Sequence, residues 1–356
     1  MLIPYRATPA VDQGVSMSAT DGLTDAGRLT KRYLSALWVR GLLKLGVVVL
    51  FLGGGLGVLQ LASAPFDPET VDETAELWAY AWLFAGAVGV YAAFRYLAAT
   101  LEFVFVTSLR TEQVDLRRYL RDNLGAGLWL LLFRIVVAIG ALSVVAAAST
   151  LIVGTDPAAF EAATAQQGLA VAAAVAVAGF GWLTVDTLTT GFVVPIMQHI
   201  RCGPLAGWRR FIGTMRANWI AVVAFLAVAW VVGFSLWLVL FGVGFGVMLV
   251  GGLLFVLVAI VLTELHSALE PVVFVLLVAG VIGYYFLIAL LEAPVRSYVR
   301  YYALSLLGEM DTELDLIADQ RAALTAAAGP DSEQSVDESE QPAEPAADTT
   351  DDLTDN

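Results

Sequence analysis

Apolar positions in this chain form long unbroken runs, and polar positions collect in the short linkers between them. The runs cover 45–61, 77–108, 128–153, 169–194, 219–263 and 271–291. Most supply the ~20 apolar residues that a helix needs to cross a bilayer core. The first begins too deep to be a cleavable signal and is expected to remain as a membrane helix. The second is longer than one crossing needs, which a tilt or a cytoplasmic extension would absorb. Pro195 is expected to stop the fourth, and Glu292-Ala293-Pro294 to break the last at the membrane interface. The hard stretch is 219–263, interrupted by Gly242, Gly244, Gly246, Gly251 and Gly252. It reads either as one crossing plus a re-entrant or broken hairpin, or as two full crossings.

The placement of Lys and Arg chooses between these readings. Arg28, Lys31, Arg32, Arg40 and Lys44 precede the first run, and Arg110, Arg117, Arg118 and Arg121 follow the second. Arg201, Arg209, Arg210 and Arg216 follow the fourth, and Arg296 and Arg300 follow the last. Linkers 62–77, 154–168 and 264–270 hold none. Cytoplasmic loops of multi-pass proteins collect Lys and Arg in this way. The chain is therefore expected to be an all-α, polytopic transmembrane helical bundle of about six crossings, with seven as the rival. In the six-crossing reading, 264–270 lies outside and both termini are cytoplasmic.

Two basic segments have amphipathic helical spacing. In 25–44, Leu29, Tyr33, Ala36, Leu37 and Arg40 recur at helical intervals. In 201–219, Pro204 opens a stripe of Leu205, Trp208, Ile212, Met215 and Trp219, while Arg209, Arg210 and Arg216 face elsewhere. Cytoplasmic interfacial helices carry arginines near lipid headgroups, and Arg117 and Arg118 in the more polar 111–124 take the same role. Trp129, Trp182, Trp208, Trp219 and the tyrosines of 298–302 read as interfacial anchors. Gly53-x-x-x-Gly57 suits close helix packing, because no Lys-Ser/Thr follows to make a phosphate loop. Asp67-Pro68 and Asp156-Pro157 read as helix starts. A weak internal repeat relates Phe103-Val104, Arg117-Arg118 and Trp129 to Phe192-Val193, Arg209-Arg210 and Trp219.

Composition sharpens this picture. With 59% hydrophobic and 15% charged residues and a mean hydropathy of +0.77, the chain is no ordinary soluble domain. Its net charge of −14 resides wholly in 309–356, and residues 1–308 are neutral. Three regions follow: a flexible N-terminal segment 1–24, a helical membrane domain 25–308, and an acidic, mostly disordered cytoplasmic tail 309–356. The tail reads as a solvating segment, or as a dock for a basic partner. Only Lys31 and Lys44 are lysines, and this Arg bias with an acidic tail suggests a host adapted to high salt. Cys202 is the single cysteine, and His199 and His266 lie in different linkers, so no disulfide or His/Cys metal cluster is expected.

The stretches 42–55 (LLKLGVVVLFLGGG), 102–121 (EFVFVTSLRTEQVDLRRYLR), 191–219 and 298–317 (YVRYYALSLLGEMDTELDLI) resemble an uncharacterised family of haloarchaeal multi-pass membrane proteins. More loosely they resemble membrane domains found beside glycerophosphodiester phosphodiesterases. The resemblance spans most of 25–320 and implies fold and host, without an activity. No phosphodiesterase catalytic domain is present in this sequence.

Four ionisable residues fall within or beside apolar runs: Arg95, Glu102, Arg134 and Asp186. A charge at the bilayer centre costs at least ~2.5–3.5 kcal/mol, so each needs a partner or a route to water. Counted from their cytoplasmic ends at ~1.5 Å per residue, Arg134 lies roughly 10 Å deep and Asp186 about 12 Å. Glu102 can reach the same layer, and Arg95 lies on its face about two turns deeper. A buried, nearly neutral cluster centred on Arg134 is expected, as an internal clip or an ion-linked site. Thr184, Thr187, Thr189 and Thr190 either line a polar path or bond back to their own helix.

No nucleophile–base pair, nucleotide loop or cofactor site is found. The leading reading is a non-enzymatic scaffold or accessory protein of the cell membrane, with membrane lipids and other membrane proteins as partners. A transporter or permease using the Arg134/Asp186 layer is the alternative. An intramembrane enzyme would need Glu102, His199 and Arg201 around one headgroup. Nucleic acid is excluded as a partner, since the basic residues abut the bilayer and the exposed tail is acidic. Oligomeric state is left open.

Overall fold

The computed structural model describes residues 19–53, 75–156, 158–159, 162–266 and 269–328. The rest of the first run, Gly57, Asp67-Pro68 and the expected disordered tail from 329 onward lie outside the described residues. The chain divides into a large unit, Met1–Leu316, and a small one, Ile317–Asn356, whose described part is helix α10 (Ala318–Ala328).

Within the large unit the order is α1 (Ala19–Ala36), α2 (Val39–Gly53), α3 (Ala75–Thr111), α4 (Leu116–Val153) and α5 (Ala165–Leu188). A π-helical turn (Thr189–Val193) leads into α6 (Val194–Ile200), followed by α7 (Pro204–Ala217), α8 (Trp219–Leu265) and α9 (Glu270–Met310). A 3-10 turn, Thr312–Leu314, closes the unit. The described residues contain helices and no strand. Among the described residues, five helices are long and apolar enough to cross a membrane, and six if the bent pair α1/α2 counts as one.

The helices follow one another around the unit: α9 packs on α2, α2 on α3, α3 on α4 and α4 on α5, while α8 returns to α9. The seam between α5 and α8 is sparse, bridged by Trp230 Nε1 donating to Thr187 Oγ1 at 3.4 Å and by the Phe180–Trp230 edge contact. The core sits at the end carrying the arginine-rich linkers. Residues 101–106, 191–197 and 300–305 are consecutively buried or nearly so, which a helix achieves only when covered on every face. The apolar stretch of α3 is 44% buried whereas that of α8 is 0% buried, so α3 is central and α8 shows its greasy surface outward. An exposed apolar surface of that extent belongs against lipid.

Several expectations are corrected. Residues 219–265 form neither a re-entrant hairpin nor two crossings, but one continuous helix. Hydrocarbon offers the backbone no hydrogen-bond partners, so breaking the helix costs more there than the ~1 kcal/mol per glycine of lost propensity. At ~1.5 Å per residue α8 is about 70 Å long, more than twice a ~30 Å hydrocarbon core, so it must tilt or extend beyond it. Reporters fused in 201–203 and at Glu264–His266 should therefore occupy opposite compartments. The same compartment for both would restore the two-crossing reading.

Pro195 does not stop the fourth run. It enters α6 at the first turn, and the preceding π-turn, in which Val194 N–H bonds to Thr189 O, absorbs the register change. Pro294 does not break α9, which continues to Met310 with its Ala293–Gly308 stretch largely buried. The 111–124 segment is mostly the first turns of α4, capped by Asp115, whose carboxylate accepts from Arg118 N–H. Asp156 makes a local turn with Ala158 N–H, and the start of α5 is a capping box of Thr164 and Gln167.

The amphipathic helices also turn differently from expectation. On α1, Leu29 and Tyr33, with Leu37 just beyond it, are buried, but α1 packs on α9 rather than only on lipid, and a 119° bend leads into α2. On α7 the buried face is Pro204, Gly207, Phe211 and Thr214, while Leu205 and Trp219 are exposed. Gly207 allows this face to approach closely, since a Cβ there would lie 3.0 Å from Val193 Cγ1. Tyr301 and Tyr302 are core residues, not interfacial anchors. Tyr301 OH donates to Leu109 O at 2.8 Å, and Tyr33 meets its ring edge-on.

Candidate functional site

At the boundary between the packed core and the apolar spans, Arg134 of α4 reaches across to α3 and α5. Its Nη2 lies 2.6 Å from Glu102 Oε1, and its Nε lies 3.1 Å from Asp186 Oδ1. Nη2 also donates to Thr190 Oγ1 at 2.8 Å. Thr190 lies in the π-turn four residues after Asp186, so both face the same guanidinium. Thr184, Thr187 and Thr189 instead bond back to their own helix carbonyls at 2.6–2.8 Å. Thr189 Oγ1 also accepts from Trp208 Nε1 at 3.2 Å.

Of the four expected cluster residues, three meet. Arg95 does not join them, because among the described residues no ion pair links it to Glu102, Arg134 or Asp186. Two turns of helix carry it about 10 Å along α3 from Glu102, beyond the reach of that layer. A residue missed by sequence reasoning takes its place: Arg300 of α9, 6% exposed, with Nη2 3.7 Å from Glu102 Oε2 and its guanidinium 5.8 Å from the Phe105 ring centroid. One turn before it, Arg296 pairs with Glu292, Nη2 to Oε1 at 2.6 Å. The signal for this lay in the i,i+4 spacing of Glu292, Arg296 and Arg300. Counting Arg134, three arginines face three carboxylates, so the layer is neutral.

This layer borders a cavity of about 1010 Å³ lined by residues of α2, α3, α5, α8 and α9. Glu102, Asp186, Glu292, Arg296 and Arg300 line its polar end, and Trp230, Trp237, Phe241, Tyr284 and Ile288 its apolar walls. Ligand sites typically enclose about 300–1,000 Å³ of mostly apolar space with a few placed polar groups. Phe234, Trp237, Phe241 and Phe245 stack as an exposed ladder along α8, with centroids 5.9, 5.6 and 6.4 Å apart.

The interfacial arginines Arg117, Arg118, Arg209 and Arg216 are exposed. Arg210 forms a clip to the end of α9, with Nη2 2.7 Å from Asp311 Oδ2 and 2.9 Å from Glu313 Oε2. Because Arg210 is 43% exposed, Arg210→Gln should lower stability by no more than ~1 kcal/mol. A thermal scan of the purified protein checks this. His199 and Arg201 are exposed, and Glu102 is engaged by Arg134 and Arg300, so the residues needed for a lipid-cleaving site are not brought together. Burial pushes the Cys202 thiol above its usual range, away from a reactive thiolate. Among the described residues no group of His, Cys, Asp and Glu could hold a metal ion.

Long apolar helices around a neutral, ion-paired layer define a helical protein built for a membrane. The chain belongs to a family of unknown function, DUF7544, which matches it over residues 17–317. No curated protein and no solved structure matches it.

Proposed function

We propose that this protein is a non-enzymatic, lipid-binding scaffold or accessory component of the cell membrane. One observation carries the reading: a cavity between membrane-length helices pairs an ion-lined end with apolar aromatic walls. That shape suits an amphiphile, with its polar group on the floor and its chains along α8. The positions of Lys and Arg support cytoplasmic termini and cytoplasmic basic linkers. The Arg bias and the acidic 309–356 segment support a salt-adapted, haloarchaeal host and a soluble cytoplasmic tail. The looser likeness to membrane domains beside glycerophosphodiester phosphodiesterases fits a body that sits among lipids and leaves chemistry to other proteins.

Native mass spectrometry of the detergent-purified chain tests the reading: one lipid-sized adduct should survive delipidation, and Trp237→Ala should weaken its retention. A protein that sheds every lipid at once would overturn it. The transporter reading keeps one observation in its favour, that Asp186 is 34% exposed and lines the same cavity. Proteoliposomes showing Asp186-dependent proton or ion flux would favour it over a scaffold.

A further inference from the structure

The carboxylates of the cavity floor are each ion-paired, Glu102 by Arg134 and Arg300, Asp186 by Arg134, and Glu292 by Arg296, although Glu102 Oε2 has no hydrogen-bond partner. The guanidinium groups are not used up. Arg300 Nη1 and Arg296 Nε are buried without a hydrogen-bond partner, and both residues line the cavity. Buried polar groups are rarely left unsatisfied, and an N–H that finds no acceptor costs the full desolvation penalty. The two arginines stand one helical turn apart on α9, so their side chains rise from the same face, about 5–6 Å apart at Cβ. Arg300 Nη1 and Arg296 Nε are enclosed by the protein, so it is the other N–H groups of these cavity-lining guanidiniums that suit the oxygens of one phosphate or phosphodiester group. Gly53 ends the described part of α2 against this pair. A Cβ there would lie 2.6 Å from Glu292 Oε2 and 3.2 Å from Arg296 Nη2, so the backbone of α2 packs directly against this ion pair. Above the floor, Trp230, Trp237 and Ile288 offer apolar wall to hydrocarbon chains.

Resting on the lipid-binding reading, we infer that the cavity selects an anionic phospholipid, its phosphate held by Arg296 and Arg300 and its chains laid against α8 and α9. The carboxylates keep the empty site neutral, and the lipid adds the one net charge that the unused donors can take.

The test uses the full chain in detergent with dioctanoyl phosphatidylglycerol, dioctanoyl phosphatidylcholine or inorganic phosphate, read by native mass spectrometry. The wild type should hold one phosphatidylglycerol about 10-fold more tightly than phosphatidylcholine, the scale of one charge-assisted hydrogen bond. Arg296→Gln should erase the preference while still retaining lipid. Arg300→Gln should do the same where it folds, but it removes a partner of buried Glu102, and Arg296→Gln alone frees Glu292. Arg296→Gln combined with Glu292→Gln, which keeps the floor neutral, therefore carries the test. Arg216→Gln, an exposed arginine off the cavity, should keep the preference. Equal retention of both lipids by the wild type would overturn the anionic selection and leave the lipid-binding reading standing. Loss of both lipids would sink that reading as well. Preference surviving in that combined variant, preference lost in Arg216→Gln, or inorganic phosphate binding as tightly as phosphatidylglycerol would each overturn the assignment.

Discussion

Replacing Arg134 with leucine is expected to destabilise the protein by about 3–5 kcal/mol, the cost of removing one partner from a buried ion pair. The side chain is 13% exposed and serves two acids on two other helices, Glu102 at 2.6 Å and Asp186 at 3.1 Å. Its loss leaves Asp186 without an ion-pair partner and Glu102, 7% exposed, with only the 3.7 Å contact to Arg300. A thermal scan of the detergent-purified variant should show an early, broadened transition. The double change Arg134→Leu with Asp186→Asn should recover part of the loss, since Glu102 keeps Arg300 as its partner and the layer stays neutral. A single variant as stable as the wild type would mean that the pairs hold nothing together.

Gly127→Leu is the second large effect. A Cβ at Gly127 would sit 2.8 Å from the Cα of Thr100, a backbone atom that cannot swing aside, so α3 and α4 must separate. Membrane helices approach through small residues because close van der Waals packing replaces the missing hydrophobic drive. Overpacking costs roughly 1–3 kcal/mol, and leucine here should reach or pass the upper end. Gly125, two residues away on the same helix, has nothing within 4 Å of its Cβ position. Gly125→Ala should therefore be neutral or add up to ~1 kcal/mol of helix stability. Size-exclusion profiles and melting curves of the two variants side by side give the comparison. Equal behaviour would show that α3 and α4 do not cross at Gly127.

The site was partly legible before the fold was known. Depth along a helix depends only on residue count, so Arg134, Asp186 and Glu102 could be placed in one layer from sequence. Arg300 was assigned with Arg296 to a cytoplasmic flank, because arginines after an apolar run look interfacial. It is buried because α9 passes through Pro294 into a core built by α1, α3 and the π-turn. Arg95 shares a helix with Glu102 but not its surroundings. On α7 the expected stripe of Leu205, Trp208, Ile212 and Met215 is not the buried one; the face with Gly207 meets the protein because glycine permits close approach.

By itself the sequence determined the all-helical class, the approximate number of membrane-length helices and the neutrality of the body. These follow from run length and composition, which are local and additive. Only the tertiary structure decided the single uninterrupted α8, the buried faces of α1 and α7, and the joining of α9 arginines to α3 and α4 through Glu102. Those depend on the rotation and register of helices far apart in the chain, set by which small residues let two backbones meet.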